Sequence, residues 1–397
     1  MKISTDEKLI QELLTRGVEN IYPKPEFLET RLKEGKQLTL YTGYDPTAPT
    51  LHIGHGITML KLKQFQDLGH KIIMLIGDFT GMIGDPTDKT STRTKLTREE
   101  VLENAKQYTK QASNILNFEG DNPVEVKYNS EWSDKLNGQD FFELASHFTV
   151  PRLLERDMFQ ERLKAGETIH LHEFLYPVMQ AYDSVAMDVD GEIGGNDQTF
   201  NMLAGRTLMK DLKGKEKFVL TGKLLTDNSG KKMGKTEGNM IAFSDSAEDM
   251  FGKVMSWTDE MIVNGFELCT TIPMVEVEDI KQKLEGGENP RDYKLKLAYE
   301  VVKTFLNEEG AKVGQENFET VIQSKGKPED MSELSPAKTD IISVLVEAGF
   351  VKSTTEARQN IAGGGVKIND QKVENIEEEV KSGDIVQKGK RFFVKIK

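Results

Sequence analysis

Apolar and polar positions along the chain fall into repeating units. Leu38 to Tyr41 is a short apolar run and the turn-rich Gly43 to Thr50 follows it, so a strand and then a loop are expected there. Met59, Leu62, Phe65 and Leu68 then recur every three positions, with Gly69 just beyond. This is the pattern of a helix that buries one face and ends on a glycine cap. The run from Lys71 to Asp78 is almost continuously apolar, as in a strand covered on both faces. A second unit repeats the order, with a helix expected over 97–116 and an alternating strand over 124–128. Val189 to Asp197 leads from a further strand into a helix, and Lys217 to Gly222 supplies another strand.

Strands that alternate with helices predict an α/β fold built on a Rossmann-like, doubly wound parallel sheet. The expected catalytic domain covers 1–245 and includes a helical connective insertion. From 246 to 325 the pattern turns helical, as in Asp292 to Phe305, and strand signals fade. Residues 326–336 are charged, hold two prolines and read as a linker. A compact α+β unit is expected over 337–397.

Composition narrows the function classes. At 37% hydrophobic and 29% charged, with no apolar run near the roughly 20 residues of a membrane helix, no contact with a bilayer is expected. The N-terminal stretch has charges spread through it and no apolar core of a signal peptide, so a cytoplasmic location is expected. The single cysteine, Cys269, excludes an internal disulfide and a thiolate metal cluster, and no structural metal is expected. A net charge of −13 argues against nonspecific nucleic-acid binding by the whole surface. Residues 337–397 nevertheless carry 11 basic against 9 acidic side chains, which sets the C-terminal unit apart.

The chemistry concentrates in two short segments. In Leu51 to His55, two histidines arrive where a helix begins after the first strand, the usual place for phosphate in an open α/β sheet. Their ring N–H groups suit the charge that develops on a phosphate in a transition state, although two histidines there also suit a plain helix cap. In Lys231 to Asn239, Lys232 and Lys235 lie on a glycine-bearing loop. Two ammonium groups there suit a leaving diphosphate, and a solvated basic loop is the simpler alternative. Tyr176, Gln180 and Asp183 are spaced to share one helix face, which lines either a pocket or an ordinary half-buried surface. Asp197 stands at a helix start, where it caps the helix or accepts from ribose hydroxyls.

The paired segments LHIGH and KMGKT resemble the signatures of class I aminoacyl-tRNA synthetases. With YTGYDPTAPTLHIGH, GMIGDPTDKTSTR, LYPVMQAYDS and IGGNDQTFN, essentially the whole chain resembles the bacterial tyrosyl-tRNA synthetases. The resemblance implies that ATP, with Mg²⁺, is bound by Thr47, His52, Gly54, His55, Gly195, Asp197, Lys232, Met233 and Lys235. It implies that Lys89 and Arg93 steady diphosphate. It places the substrate ammonium on Asp85, Tyr176 and Gln180, the substrate phenol on Tyr41 and Asp183, and Gln198 near the amino acid. His52, His55, Lys232, Lys235, Lys89 and Arg93 would carry catalysis. The helical region would face the anticodon side.

The segment Ile341 to Val373 resembles a small α-L RNA-binding domain, in which Lys352, Arg358, Lys367 and Lys372 would grip tRNA phosphates. A homodimer is implied by the resemblance as well. Two positions depart from the family's commonest pattern. Gly234 and Thr236 stand where serines are more frequent, and Thr199 and Phe200 replace the Trp-Gly of one branch. A tryptophanyl-tRNA synthetase shares the architecture, and a relative that only binds RNA is a rival of another class. Asp183 favours tyrosine over tryptophan, and intact His52, His55, Lys232 and Lys235 favour an enzyme. Replacing Lys235 by Ala is expected to slow adenylate formation by roughly 10² to 10³, the usual cost of one transition-state donor, with a smaller effect on tyrosine binding. An unchanged single-turnover rate would remove Lys235 from the mechanism.

Overall fold

The computed structural model describes residues 3–87, 96–226, 240–323, 331–373, 375–389 and 392–397. Two compact units divide the chain, Met1–Ala311 and Lys312–Lys397. The first is built on a six-stranded sheet of β1 (Val18–Tyr22), β2 (Thr39–Tyr44), β3 (Lys71–Ile76), β4 (Glu125–Tyr128), β5 (Gly191–Gly195) and β6 (Phe218–Gly222). Their order is β1-β6-β5-β2-β3-β4. All neighbours run parallel except β1, which lies antiparallel on β6. The chain winds outward from β2 to β4 and then restarts on the other side of β2 with β5. That reversal makes the β2/β5 boundary the topological switch point, where open α/β sheets bind ligands at the strands' carboxyl ends.

The pairing itself opens this crevice. β2 matches β3 along its whole length, from Thr39 opposite Lys71 to Tyr44 opposite Ile76. Against β5 it pairs only at Leu40 with Gly191 and Tyr41 with Glu192. Beyond Tyr41 the strands are tied by a side chain, the Thr42 hydroxyl donating to the Ile193 carbonyl at 2.8 Å.

Helices pack on this sheet. Ile53–Asp67 follows β2, while Leu171–Met187 and Thr199–Lys213 flank β5. The helix expected over 97–116 is two pieces, Arg98–Ala105 and Tyr108–Ala112. The first opens on a reciprocal cap between Thr97 and Glu100. The helical stretch after 246 belongs to the same compact unit as the sheet. It comprises Ala247–Met255, Met261–Cys269, Met274–Glu285 and Pro290–Phe305. Gly56 lets the Ile53–Asp67 helix approach it, since a Cβ there would fall 2.3 Å from the Phe305 ring.

Two buried cations close helix ends in this unit. The Arg16 guanidinium donates to the carbonyls of Phe266 at 3.2 Å, Glu267 at 3.0 Å, Thr270 at 2.5 Å and Ile272 at 2.6 Å. It thereby satisfies acceptors that the end of Met261–Cys269 leaves open. Lys61 does the same for the N-terminal helix, donating to Leu13 O at 2.8 Å and Arg16 O at 2.7 Å. Burial, aided by the nearby Arg16 charge, lowers the Lys61 ammonium to about 7.

In the second unit, five strands run in the order β7 (Ser332–Leu334), β11 (Phe392–Ile396), β10 (Ile385–Lys388), β8 (Val366–Ile368) and β9 (Gln371–Lys372). Helices Ile341–Glu347 and Thr354–Ala362 pack on it through Ile341, Val344, Leu345, Ala357 and Ile361. Ser332–Leu334 falls in the stretch expected to be a linker, and it joins this sheet because it pairs in parallel with β11. Replacing Arg16 by Met strands the carbonyls of Glu267, Thr270 and Ile272, while Phe266 O keeps the Thr270 hydroxyl, so the first urea transition of the protein should lose at least about 3 kcal/mol. A loss under about 1 kcal/mol would show that water reaches those carbonyls.

Candidate active site

The switch point carries a cleft of about 950 Å³. Every sequence-designated pocket residue among the described ones lines it: Tyr41, Thr47, His52, Gly54, His55, Asp85, Tyr176, Gln180, Asp183, Gly195, Asp197 and Gln198. Lys89, Arg93, Lys232, Met233 and Lys235 lie outside the described residues. The chain on either side of the KMGKT segment reaches the cleft, since Leu225 and Met240 line it. Past that segment, Ile53 N–H donates to Ile241 O at 2.9 Å and Phe243 N–H to Leu51 O at 2.9 Å. This bridge fixes the exit of one signature against the other.

The two histidines act as a cap, and the cap sets their chemistry. His52 is the N-cap of Ile53–Asp67, its Nδ1 accepting from Gly54 N–H at 3.2 Å, and His55 Nδ1 accepts from His52 N–H at 3.2 Å. A ring nitrogen that accepts carries no proton, so each neutral imidazole keeps its hydrogen on Nε2. Their rings stack with centroids 3.8 Å apart. The capping contacts therefore fix the tautomer of both rings. Asp197, in contrast, is not a cap. It sits inside the turn Asn196–Gln198, the N-cap of the next helix is Gln198, and no side chain caps that helix. A Cβ on Gly195 would lie 2.4 Å from Asp197 Oδ1, so glycine is what lets that carboxylate fold over the strand end.

At the deep end, Asp183 is buried and accepts from Trp132 Nε1 at 2.8 Å and Asn129 Nδ2 at 3.3 Å. Burial pushes its carboxyl well up, the two N–H donors oppose that, and the Glu192 and Asp45 charges add to it. Tyr41 does not bond Asp183; its hydroxyl sits 2.9 Å from Ser184 Oγ. Burial, then Glu192 and Asp183, raise the Tyr41 phenol, and burial with Asp45 and Asp85 raises that of Tyr176. Both remain protonated donors at neutral pH.

Tyr176 donates to Asp45 Oδ2 at 2.8 Å, and the other Asp45 oxygen accepts from Thr80 Oγ1 at 2.7 Å. Gln198 Nε2 donates to Asp85 Oδ2 at 2.7 Å, while Asp85 Oδ1 accepts from the Thr87 backbone at 2.9 Å and hydroxyl at 2.6 Å. Gln180 Nε2 donates to Glu192 Oε1 at 3.0 Å. Its Oε1 is buried with no partner among the described residues, an acceptor awaiting a donor.

Sequence reading missed Asp45, Asn129, Trp132, Ser184, Glu192 and Lys217. Asp45 lay in the GYDP turn at a strand's carboxyl end and had a usable signal. Glu192 had one too, as the lone charge within β5, whereas Lys217 ends the charged run Lys215, Glu216, Lys217 and only the fold marks it out. Asn129 and Trp132 had none, because only the fold brings them to Asp183. In the C-terminal unit, Lys352, Arg358, Lys367 and Lys372 are all exposed, and Lys367 pairs directly with Lys372 across β8 and β9.

Comparison with known proteins matches residues 33–323 to "tRNA synthetases class I (W and Y)" and 322–395 to "Tyrosine--tRNA ligase SYY-like C-terminal domain". The tyrosine–tRNA ligase of Haemophilus influenzae is 42% identical over 396 residues, covering 99% of this chain and 98% of its own. That of Thermotoga maritima is 43% identical over 391 residues, covering 97% and 96%. Among solved structures, a truncated Aspergillus nidulans mitochondrial tyrosyl-tRNA synthetase superposes with a TM-score of 0.66 at 20% identity, over 78% of this chain and 92% of that one. A tyrosine-bound tyrosyl-tRNA synthetase from Archaeoglobus fulgidus gives 0.61 at 22%, over 79% and 100%. These two share the fold. With tyrosine–tRNA ligases matched end to end at 42–43% identity and the C-terminal part matched by a tyrosine–tRNA ligase description, the chain belongs to the class I tyrosyl-tRNA synthetase family.

Proposed function

We propose that the cleft activates L-tyrosine with Mg-ATP and that the enzyme then loads the tyrosyl group onto the 3′ end of tRNA(Tyr). The observation that carries this reading is Asp183, a buried carboxylate on the cleft wall held by two N–H donors. With Tyr41 it receives the substrate's phenol. Asp85, Tyr176 and Gln180 take the ammonium, which meets the unpartnered Gln180 Oε1. Gln198 fixes Asp85 for that contact. A phenylalanine side chain leaves the Asp183 and Tyr41 pair dry and unmatched, and each such group costs about 1–3 kcal/mol.

ATP lies along Thr47, His52, Gly54 and His55, with its ribose at Gly195 and Asp197. The tyrosine carboxylate attacks the α-phosphorus in line and diphosphate leaves. His52 and His55 donate from Nε2 to the oxygens that gain charge. Lys232 and Lys235, with Met233 between them, and Lys89 and Arg93 neutralise the departing diphosphate. The protein contributes positioning and electrostatics rather than covalent chemistry.

The domain assignment follows the same logic. Residues 1–245 form the catalytic domain and 246–325 the anticodon-side helical domain, while the RNA-binding unit takes in β7 as well as 337–397, where Lys352, Arg358, Lys367 and Lys372 meet phosphates. The enzyme works in the cytoplasm as a homodimer. Among the described residues no helix is long and apolar enough to cross a membrane.

Pyrophosphate exchange into ATP with each of the twenty amino acids is expected to proceed with tyrosine and at least about 10²-fold less with phenylalanine. Exchange with tryptophan, or with none, would overturn the assignment.

Asp183 also leaves a thermodynamic signature. Its folded-state carboxyl titrates above the roughly 3.9 of an unfolded aspartate. Between those two values the native state holds more protons than the unfolded state, so stability falls as pH rises through the folded value. Asp183→Asn cannot titrate. Its melting temperature relative to the parent should therefore climb as pH is raised from 4 to 8, whatever constant offset it carries, and parallel curves would show that Asp183 is not held up.

A further inference from the structure

Lys217 lies immediately before β6 with its side chain wholly buried. Its ammonium donates to Ser184 Oγ at 2.8 Å and pairs with the Glu192 carboxylate. Each of those partners leads to one end of the amino-acid pocket. Ser184 Oγ is 2.9 Å from the Tyr41 hydroxyl, at the phenol end. Glu192 Oε1 takes the Gln180 amide at 3.0 Å, at the ammonium end, which is what leaves Gln180 Oε1 as the acceptor.

The fold makes room for this cation. A Cβ on Gly205 would sit 2.7 Å from Lys217 Nζ and 2.9 Å from Ser184 Oγ, so glycine there leaves the space that the buried ammonium and hydroxyl occupy. Burial lowers the Lys217 ammonium while Glu192 opposes the shift. An ion pair of this kind seldom adds stability over apolar residues, so its place beneath the pocket asks for another reason.

We propose that Lys217 is a positioning residue that sets hydrogen-bond direction at both ends of the tyrosine pocket, through Ser184 to Tyr41 and through Glu192 to Gln180. An ammonium has only donors. Ser184 must therefore accept from it and keeps its single hydrogen to donate to Tyr41. The Tyr41 proton is then directed to the substrate's phenol oxygen, while Asp183 accepts the substrate's own proton. With Glu192 likewise satisfied by Lys217, its other oxygen holds Gln180 by the amide nitrogen and presents the amide oxygen to the substrate.

The assignment rests on the tyrosine reading above. Wild-type exchange with tyrosine is measured alongside, and its absence would overturn that reading rather than the role of Lys217. The double variant Lys217→Met with Glu192→Gln removes both charges, so that no unpaired carboxylate is left behind. Expected are a tyrosine KM raised at least about tenfold, a tyrosine-to-phenylalanine ratio of kcat/KM lowered at least about tenfold, and an ATP KM within about twofold of the parent, tenfold being about 1.4 kcal/mol. A merely structural pair would lower the amount of active enzyme and leave both the ratio and the tyrosine KM unchanged.

Ser184→Ala cuts only the link to Tyr41 and keeps the ion pair. It should lower the tyrosine-to-phenylalanine ratio at least about threefold with little change in melting temperature. A folded double variant with ratio and tyrosine KM within twofold of the parent overturns the proposal, as does an ATP KM that rises in step with that for tyrosine. If the double variant does not fold, an unchanged ratio in Ser184→Ala overturns it.

Discussion

The short pairing between β2 and β5 governs everything built around it. Two residue pairs join the strands, Leu40 with Gly191 and Tyr41 with Glu192, and beyond them the sheet opens. Backbone groups along that opening lack a neighbouring strand, so side chains and turns must serve them. Thr42 bonds the Ile193 carbonyl, and the Gly194–Gly195 end of β5 feeds directly into the Asn196–Gln198 turn. The same opening gives a substrate access to the strand ends without breaking a ladder. Tyr41 marks the floor because it is the last residue of β2 still paired with β5.

Polar groups below and beside that floor form two networks. One runs from Tyr41 through Ser184 and Lys217 to Glu192 and Gln180, and the other from Tyr176 through Asp45, Thr80 and Asn129 to Asp183 and Trp132. Each is nearly satisfied internally. Buried polar groups that are almost all paired keep their rotamers without a ligand, which is the state a selective pocket needs. The exception is Gln180 Oε1, a buried acceptor without a partner among the described residues on a residue that lines the cleft, and an orphaned acceptor favours occupancy by a donor.

Cations recur as structural fasteners in the same unit. Arg16 and Lys61 each satisfy carbonyls at a helix end, and Lys217 satisfies side chains. Arg16 in particular joins the N-terminal helix to the helical region 250 and more residues later. The catalytic sheet and the first helices after 246 thus share one compact unit. The His52–His55 cap belongs to this logic, since the hydrogen bonds that finish a helix also choose which ring nitrogen keeps its proton.

Hydrophobic periodicity alone marked this protein as α/β, charge counting set its C-terminal module apart, and the resemblance carried by its paired motifs implied an enzyme. Hydrophobic period depends on nearby residues only, so β2, β3, β6 and the Ile53–Asp67 helix were legible before any fold was known. The shared face of Tyr176, Gln180 and Asp183 was legible for the same reason. Composition could not reveal β7, whose three residues become a strand only because β11 lies beside them. Nor could local pattern decide whether the histidines cap or bind, or show that Asp197 is no cap, because those answers depend on which atoms other segments present. The partners of Asp183 come from 51 and 54 residues away, and Lys217 meets Glu192 across 25. Tertiary structure decided those contacts, since a buried charge takes whichever partner the packing brings within reach.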